Sequence, residues 1–83
     1  MPYQVLIHKK TQKKFDKLDD NELKERLREV FKLLVEPFNL DTIKISGEEH
    51  TYRTRVGKYR ILEIIREGVV YVADFDTRGR IYK

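Results

Sequence analysis

An alternating stretch that turns back on itself constrains the fold more than any other part of this sequence. Residues 52–56 read Tyr-Arg-Thr-Arg-Val, and this period of two is typical of a β-strand with one apolar and one wet face. Gly57 and Lys58 then fit a two-residue hairpin turn, because glycine readily adopts the positive φ required at the first central position. The stretch therefore predicts an antiparallel β-hairpin.

The predicted register of this hairpin places three arginines on one face. If Val56 pairs with Tyr59, then Arg55 lies opposite Arg60, and Arg53 leaves the sheet on the same side. Like charges at opposed positions are destabilising, so the arrangement suits a ligand that relieves the repulsion. Guanidinium groups keep their charge and match phosphate oxygens with forked donors. The register therefore indicates a polyanionic ligand.

A second interpretation of the same arginines stays open at this point. They form a solvated strand face, or they pair with Glu63 and Glu67 further along the chain. Exposed ion pairs of this kind contribute little to stability and call for no ligand.

Length and composition limit the kinds of site that the chain can carry. Its 83 residues suffice for one domain, residues 1–83, with one modest core, so we expect function on an open surface. The lack of cysteine excludes disulfides and thiolate metal sites, and only two histidines are present, so we expect no metal and no cofactor. No signal-peptide or membrane-spanning run is present, which predicts a cytoplasmic protein without membrane contact.

The net charge of +4 conceals an uneven distribution of basic and acidic residues along the chain. Residues 1–18 carry five basic and one acidic side chain, and residues 50–83 carry eight and four. Residues 19–49 carry five basic and nine acidic side chains. A surface built from both ends would attract a partner of negative charge, and nucleic acid is the common partner of such surfaces.

Hydrophobic periodicity predicts the first two elements. Residues 3–8 predict a strand that is buried on both faces, in a central or well-covered position in the sheet, because Val5, Leu6 and Ile7 run together. Residues 9–18 predict a short amphipathic helix with a basic outer face.

A second helix and four strands complete the predicted fold. The helix begins at Asp19, which has capping-box spacing to Glu22, and ends at Glu36, because Pro37 disfavours helical backbone in the residue before it. Its buried stripe comprises Leu23, Leu27, Val30, Phe31 and Leu34. Strands follow at residues 42–45, 52–56, 59–66 and 69–75. The expected class is α+β, in the order β-α-α-β-β-β-β, with a helical hairpin on one side of a twisted sheet whose later strands are antiparallel.

The final eight residues return to basic and aromatic character. In one interpretation, an irregular tail leaves a central strand and carries Arg78 and Tyr82 to the rim of the arginine face. In the other, the tail is a frayed terminus, which is the default for chain ends.

The residue types exclude several kinds of catalysis. No serine, threonine or cysteine stands beside a recognisable base, and no glycine-rich phosphate loop is present. What remains is a set of arginines and tyrosines that could bind phosphates and stack on bases: Arg53, Arg55, Arg60, Arg78, Tyr52, Tyr59 and Tyr82. Such a set suffices to cleave RNA, because the substrate's own 2′-OH can act as nucleophile. DNA would be bound but not cut.

The order of these features resembles the RelE/ParE superfamily of toxins from type II toxin–antitoxin modules, and looks closest to its short archaeal RelE-like members. The resemblance rests on the N-terminal strand, the helical hairpin ending at Glu-Pro, the motif Tyr-Arg-x-Arg-Val-Gly-x-Tyr-Arg-Ile from residue 52, and the terminal Arg-Gly-Arg-Ile-Tyr. It implies a ribosome-dependent endoribonuclease that cuts messenger RNA in the A site and inhibits translation. It also implies a cognate antitoxin, with operator DNA contacted only through the toxin–antitoxin complex.

The same resemblance implies roles for individual residues. Arg53 and Arg55 stand where RelE-type enzymes have two lysines, and because arginine is a poor general base, their implied role is transition-state stabilisation. Arg60 matches a phosphate-binding arginine. Arg78 matches an arginine that assists the leaving group, and Tyr82 matches a tyrosine that stacks on or orients the substrate. Further RNA contacts are expected from Lys58, Arg80 and Lys83.

Two alternatives share the implied fold. A ParE-type toxin inhibits DNA gyrase by binding it and is not an enzyme, whereas a degenerate toxin would act only as an antitoxin-binding or nucleic-acid-binding module. The several basic residues and the terminal tyrosine favour the ribonuclease. The two arginines in place of lysines leave the degenerate toxin open.

Overall fold

The computed structural model describes residues 2–77, and their elements follow the predicted order β-α-α-β-β-β-β. The strands and helices are β1 (Gln4–Ile7), α1 (Lys9–Asp16), α2 (Asn21–Leu33), β2 (Asp41–Lys44), β3 (Thr51–Val56), β4 (Tyr59–Arg66) and β5 (Val69–Asp76). A short 3₁₀ turn, Pro37–Asn39, connects α2 to β2. No helix within these residues is long and apolar enough to cross a membrane.

The five strands form one mixed sheet in the order β1-β5-β4-β3-β2. β1 runs parallel to β5, and the other three neighbouring pairs are antiparallel. One face of the sheet and the two helices enclose the core. The buried apolar side chains of this core are Phe15, Leu27, Val30, Phe31, Leu34, Tyr59, Ile61, Ile65, Val70, Val72 and Phe75. The opposite face, called the outer face below, carries no helix from residues 2–77.

The prediction that the first strand is buried on both faces, in a central or well-covered position, is wrong, because β1 lies at an edge of the sheet with one face exposed. Val5 and Ile7 pack against the core, whereas Leu6 faces outward and is 42% exposed. A run of three apolar residues indicates burial on both faces only where both faces are covered. Here β4 is the central strand, since two strands lie on each side of it.

Side chains of helix α1 donate hydrogen bonds to the end of β5 that β1 does not reach. β1 pairs with β5 only as far as Val72, and beyond that point the carbonyls of β5 need other donors. The hydroxyl of Thr11 donates to the carbonyl of Ala73 at 2.6 Å, and the ammonium of Lys14 donates to the carbonyl of Phe75 at 2.6 Å. The free edge of β5 is therefore closed by side chains of α1.

The N-cap of helix α2 lies one residue later than predicted, and the helix ends earlier than predicted. Its N-cap is Asp20, whose Oδ1 accepts hydrogen bonds from the backbone N–H groups of Glu22 and Leu23 at 3.0 and 3.1 Å. Asp19 is thus not the cap, and Glu22 pairs with Arg26 rather than closing a capping box. The helix ends at Leu33, and the chain then turns into the 3₁₀ segment that contains the proline.

Replacing Asp20 with alanine should lower the free energy of unfolding by about 1 kcal/mol, because two N–H groups lose their acceptor. The neighbouring Asp19→Ala variant removes the same charge without removing a cap, and we expect a change within about 0.5 kcal/mol. Urea denaturation of both variants measures the difference. Equal losses in the two would contradict the assignment of Asp20 as the cap.

Candidate nucleic-acid interface

The hairpin that constrains the fold has the predicted register. Val56 pairs with Tyr59, and Arg55 lies opposite Arg60. Gly57 has a φ of +60°, as the turn requires. Because opposed residues share a face of the sheet, the two arginines project together from the outer face.

Two aspartates extend this arginine pair into a row of four charged residues across the sheet. Asp41 on β2 lies opposite Arg55, and Asp76 on β5 lies opposite Arg60. The order across the four strands is therefore acidic, basic, basic, acidic. We call Asp41, Arg55, Arg60 and Asp76 the charged row.

The ion pairs of the outer face differ from those considered at the sequence level. Nε of Arg55 lies 3.2 Å from Oδ2 of Asp41, and both side chains are about half exposed. Glu63 is not a partner of the arginines, because it points into the core on the other face. Glu67 pairs with Arg66 at 3.8 Å, at the far end of β4.

Arg53 occupies the next position along the outer face in less polar surroundings. Its cross-strand neighbours are Ile43 on β2 and Leu62 on β4. The side chain is half-buried, and its Nε has no hydrogen-bond partner within residues 2–77. A buried N–H without an acceptor costs free energy, so an anion that reaches this position would satisfy an unmet donor.

The other predicted residues of the site lie in several places. Lys58 is exposed in the hairpin turn, with its Nζ 5.9 Å from the ring centroid of Tyr59. Tyr59 is 8% exposed, and Tyr52 packs against the core, so neither ring faces the arginines. Four predicted residues lie outside the described part of the chain: Arg78, Arg80, Tyr82 and Lys83.

Within residues 2–77, the basic residues of the two chain ends lie on different elements of the fold. The helix α1, which carries the N-terminal lysines, closes the edge of β5 on the core side, whereas the arginines of β3 and β4 project from the outer face. Within residues 2–77, no group of three or more His, Cys, Asp and Glu residues could hold a metal ion.

A chain of hydrogen-bonded side chains, one glutamate and two threonines, lies beneath the arginines. Glu63 and Thr54 are fully buried, and Oε1 of Glu63 is hydrogen-bonded to Oγ1 of Thr54. Oγ1 of Thr54 lies 2.7 Å from Oγ1 of Thr42, whose hydroxyl donates to the carbonyl of Pro37 at 2.6 Å. These contacts connect β4, β3, β2 and the 3₁₀ turn.

Counting protons indicates that Glu63 is neutral in this arrangement. The three contacts need three protons, and the two threonine hydroxyls supply two. If Glu63 were ionised, Thr54 would donate to it and no proton would remain for the contact between Thr54 and Thr42. A protonated Glu63 donates to Thr54, Thr54 to Thr42, and Thr42 to Pro37, so that each contact has one proton.

The electrostatics of the site agree with this count. Burial raises the pKa of Glu63 from 4.5 to about 7, and the hydrogen bond that Thr54 would donate to an ionised carboxylate opposes only part of this rise. Thr54 lies between Arg53 and Arg55 in the chain, so the buried bonds of its hydroxyl fix the part of β3 that presents both arginines. This role of Glu63 and Thr54 was not predicted from the sequence. The signal was an acidic residue at a core position of β4, in the alternation Tyr59, Ile61, Glu63, Ile65.

Comparisons with known proteins agree with the fold. A model of the ParE toxin of type II toxin–antitoxin systems (parDE) matches residues 5–82. A chain of the archaeal RelE–RelB complex from Pyrococcus horikoshii is 31% identical, with a TM-score of 0.74 over 96% of this chain and 99% of that one. No curated protein matches significantly.

Two further solved structures share the architecture. A chain of the RelB–RelE antitoxin–toxin complex from Methanococcus jannaschii is 25% identical, with a TM-score of 0.69 over 94% of this chain and 95% of that one. A chain of a RelBE toxin–antitoxin complex from Mycobacterium tuberculosis is 24% identical, with a TM-score of 0.79 over 94% and 100%, which shows the fold alone. With the family model matching almost the whole chain, the protein belongs to the ParE toxin family of type II toxin–antitoxin systems, within the RelE/ParE superfamily.

Proposed function

We propose that this toxin is a ribosome-dependent endoribonuclease that cleaves messenger RNA in the A site and so inhibits translation. The observation that carries the proposal is the opposed pair Arg55 and Arg60 on the outer face, with Arg53 two residues along β3. Three guanidinium groups on one open face suit the phosphates of a single strand, and fixed positive charge stabilises the negative charge that develops on a phosphate during transfer.

The chemistry assigned to these residues is electrostatic. The 2′-OH of the substrate attacks the adjacent phosphorus, the 5′-oxygen of the next nucleotide leaves, and the products carry a 2′,3′-cyclic phosphate and a 5′-OH. Arg55 and Arg60 stabilise the charge on the phosphate oxygens. Arg78 and Tyr82 are proposed, from the family resemblance, to assist the leaving group and to orient the substrate. The ribosome supplies much of the positioning, which suits a site without an efficient general base.

A cognate antitoxin is the second proposed partner. The solved relatives from Pyrococcus horikoshii and Methanococcus jannaschii are toxin–antitoxin complexes, and membership of the family supports the same arrangement here. Operator DNA would be contacted only through such a complex. The proposed location is the cytoplasm, where messenger RNA and ribosomes are found.

Inhibition of DNA gyrase is the alternative function, and the family model favours it because that model describes ParE. Two parallel assays distinguish the ribonuclease from the gyrase inhibitor. The purified protein is added to a translating extract and to a purified gyrase supercoiling reaction. Loss of full-length message with normal supercoiling is the result that we expect. Intact message with inhibited supercoiling would replace the ribonuclease by a gyrase inhibitor, and no effect in either assay would indicate a degenerate toxin.

A further inference from the structure

The arginine pair is bracketed by carboxylates on the surface where a phosphate would have to bind. Asp41 and Asp76 lie beside Arg55 and Arg60 in the charged row, so its formal charges sum to zero. The contact between Arg55 and Asp41 is a hydrogen-bonded ion pair, with Nε and Oδ2 3.2 Å apart. Asp41 therefore uses one of the donors that a phosphate oxygen would require.

We propose that Asp41 competes with the substrate phosphate for Arg55, and thereby keeps the affinity of the toxin for free single-stranded nucleic acid low. This inference rests on the anion-binding part of the proposed function and not on cleavage. A phosphate that binds Arg55 must displace the carboxylate of Asp41 or bind against its electrostatic repulsion. Binding then becomes strong only where further contacts, such as those of a ribosome-held message, add to it.

The exposure of the pair makes this competition reversible. Arg55 and Asp41 are 52% and 54% exposed, and exposed ion pairs are worth about 1 kcal/mol or less. Asp41 therefore weakens binding without preventing it. Its position at the first residue of β2 fixes it beside Arg55, because the two residues are cross-strand partners.

The test measures binding of a short single-stranded oligodeoxynucleotide, which lacks the 2′-OH and so reports binding without cleavage. Asp41→Asn keeps the shape of the side chain and removes its charge, and we expect it to raise the affinity at low salt by about five-fold. One additional phosphate contact should also steepen the dependence of log affinity on log salt by about 0.7.

Glu48→Gln is the matched control, because it removes one negative charge from the exposed turn at the other end of the β2–β3 hairpin. We expect a smaller gain from it and an unchanged salt slope. In an Arg55→Ala background, Asp41→Asn should lose most of its effect. Equal gains in the Asp41 and Glu48 variants, a loss of affinity in Asp41→Asn, or no binding by any variant would each overturn the proposal. A gain in Asp41→Asn would support it even if the protein proved unable to cut messenger RNA.

Discussion

Replacing Arg60 with alanine is expected to slow cleavage of ribosome-bound message by about 100-fold or more. Removal of one well-placed donor to a developing oxyanion typically costs a factor of roughly 10² to 10³, and Arg60 is one of the two opposed arginines of the charged row. The loss should appear in the rate of the chemical step, measured with the ribosome complex saturated by toxin.

The control for this variant is Arg66→Ala, on the same strand and the same outer face. Arg66 lies at the far end of β4, opposite Val69 and close to Glu67, away from the charged row. We expect its cleavage rate to stay within about two-fold of wild type. In urea denaturation, both variants should have a free energy of unfolding within about 0.5 kcal/mol of wild type, since surface substitutions rarely cost more. Equal losses of activity in the two variants would refute the assignment of the site to the charged row.

Replacing Glu63 with glutamine is expected to make the protein more stable above neutral pH. The pKa of Glu63 is raised by burial from 4.5 to about 7, so the folded state holds a proton that the unfolded state releases. The contribution of Glu63 to the stability of wild type is then greatest below about pH 4.5, falls as the pH rises, and levels off above the folded pKa of about 7. With about 1.4 kcal/mol for each pKa unit, the total loss is about 3 kcal/mol.

Glutamine should remove this loss and keep the buried contacts. Its amide N–H donates to Thr54 as the protonated carboxyl does, so the contacts onward to Thr42 and Pro37 keep their protons. At about pH 9 we expect Glu63→Gln to exceed wild type by up to ~3 kcal/mol in the free energy of unfolding, with little difference at about pH 4.5.

Urea denaturation across this pH range measures the effect, with Glu67→Gln as a control on an exposed glutamate. That control should follow the pH profile of wild type. If wild type and Glu63→Gln had the same pH profile, or if Glu63→Gln were less stable than wild type at every pH, Glu63 would not be held neutral.

The parts of the fold that the sequence predicted well are those set by local pattern. The alternation from residue 52, with Gly57 at the turn, specifies both the strand and its register, because a slip of one residue would expose Val56 and bury the arginines. The apolar stripe of α2 is equally local, and Leu27, Val30 and Phe31 are buried as expected.

Properties that depend on neighbours far along the chain could not be predicted in this way. β1 became an edge strand because β5, more than 60 residues later, pairs with only one side of it. Asp41 precedes Arg55 by 14 residues and contacts it only through pairing of β2 with β3. Nothing in the local composition of either segment indicates that pair.

The environment of Glu63 could be predicted only in part. The alternation of β4 places it at a core position, so its burial could have been inferred from the sequence. Its partners could not, since Thr54 and Thr42 belong to two other strands. A glutamate at a buried strand position therefore signals an unusual environment, and the structure supplies the hydroxyls that accommodate it.

Mapping the 5′ ends of a defined message incubated with the purified toxin, with and without ribosomes, tests the central proposal most directly. The proposal predicts new 5′ ends within codons only when ribosomes are present, with a cut abolished by a single 2′-O-methyl group on the nucleotide whose 2′-OH attacks. Message that stays intact on toxin-treated ribosomes, or cuts that survive the methylation, would contradict it.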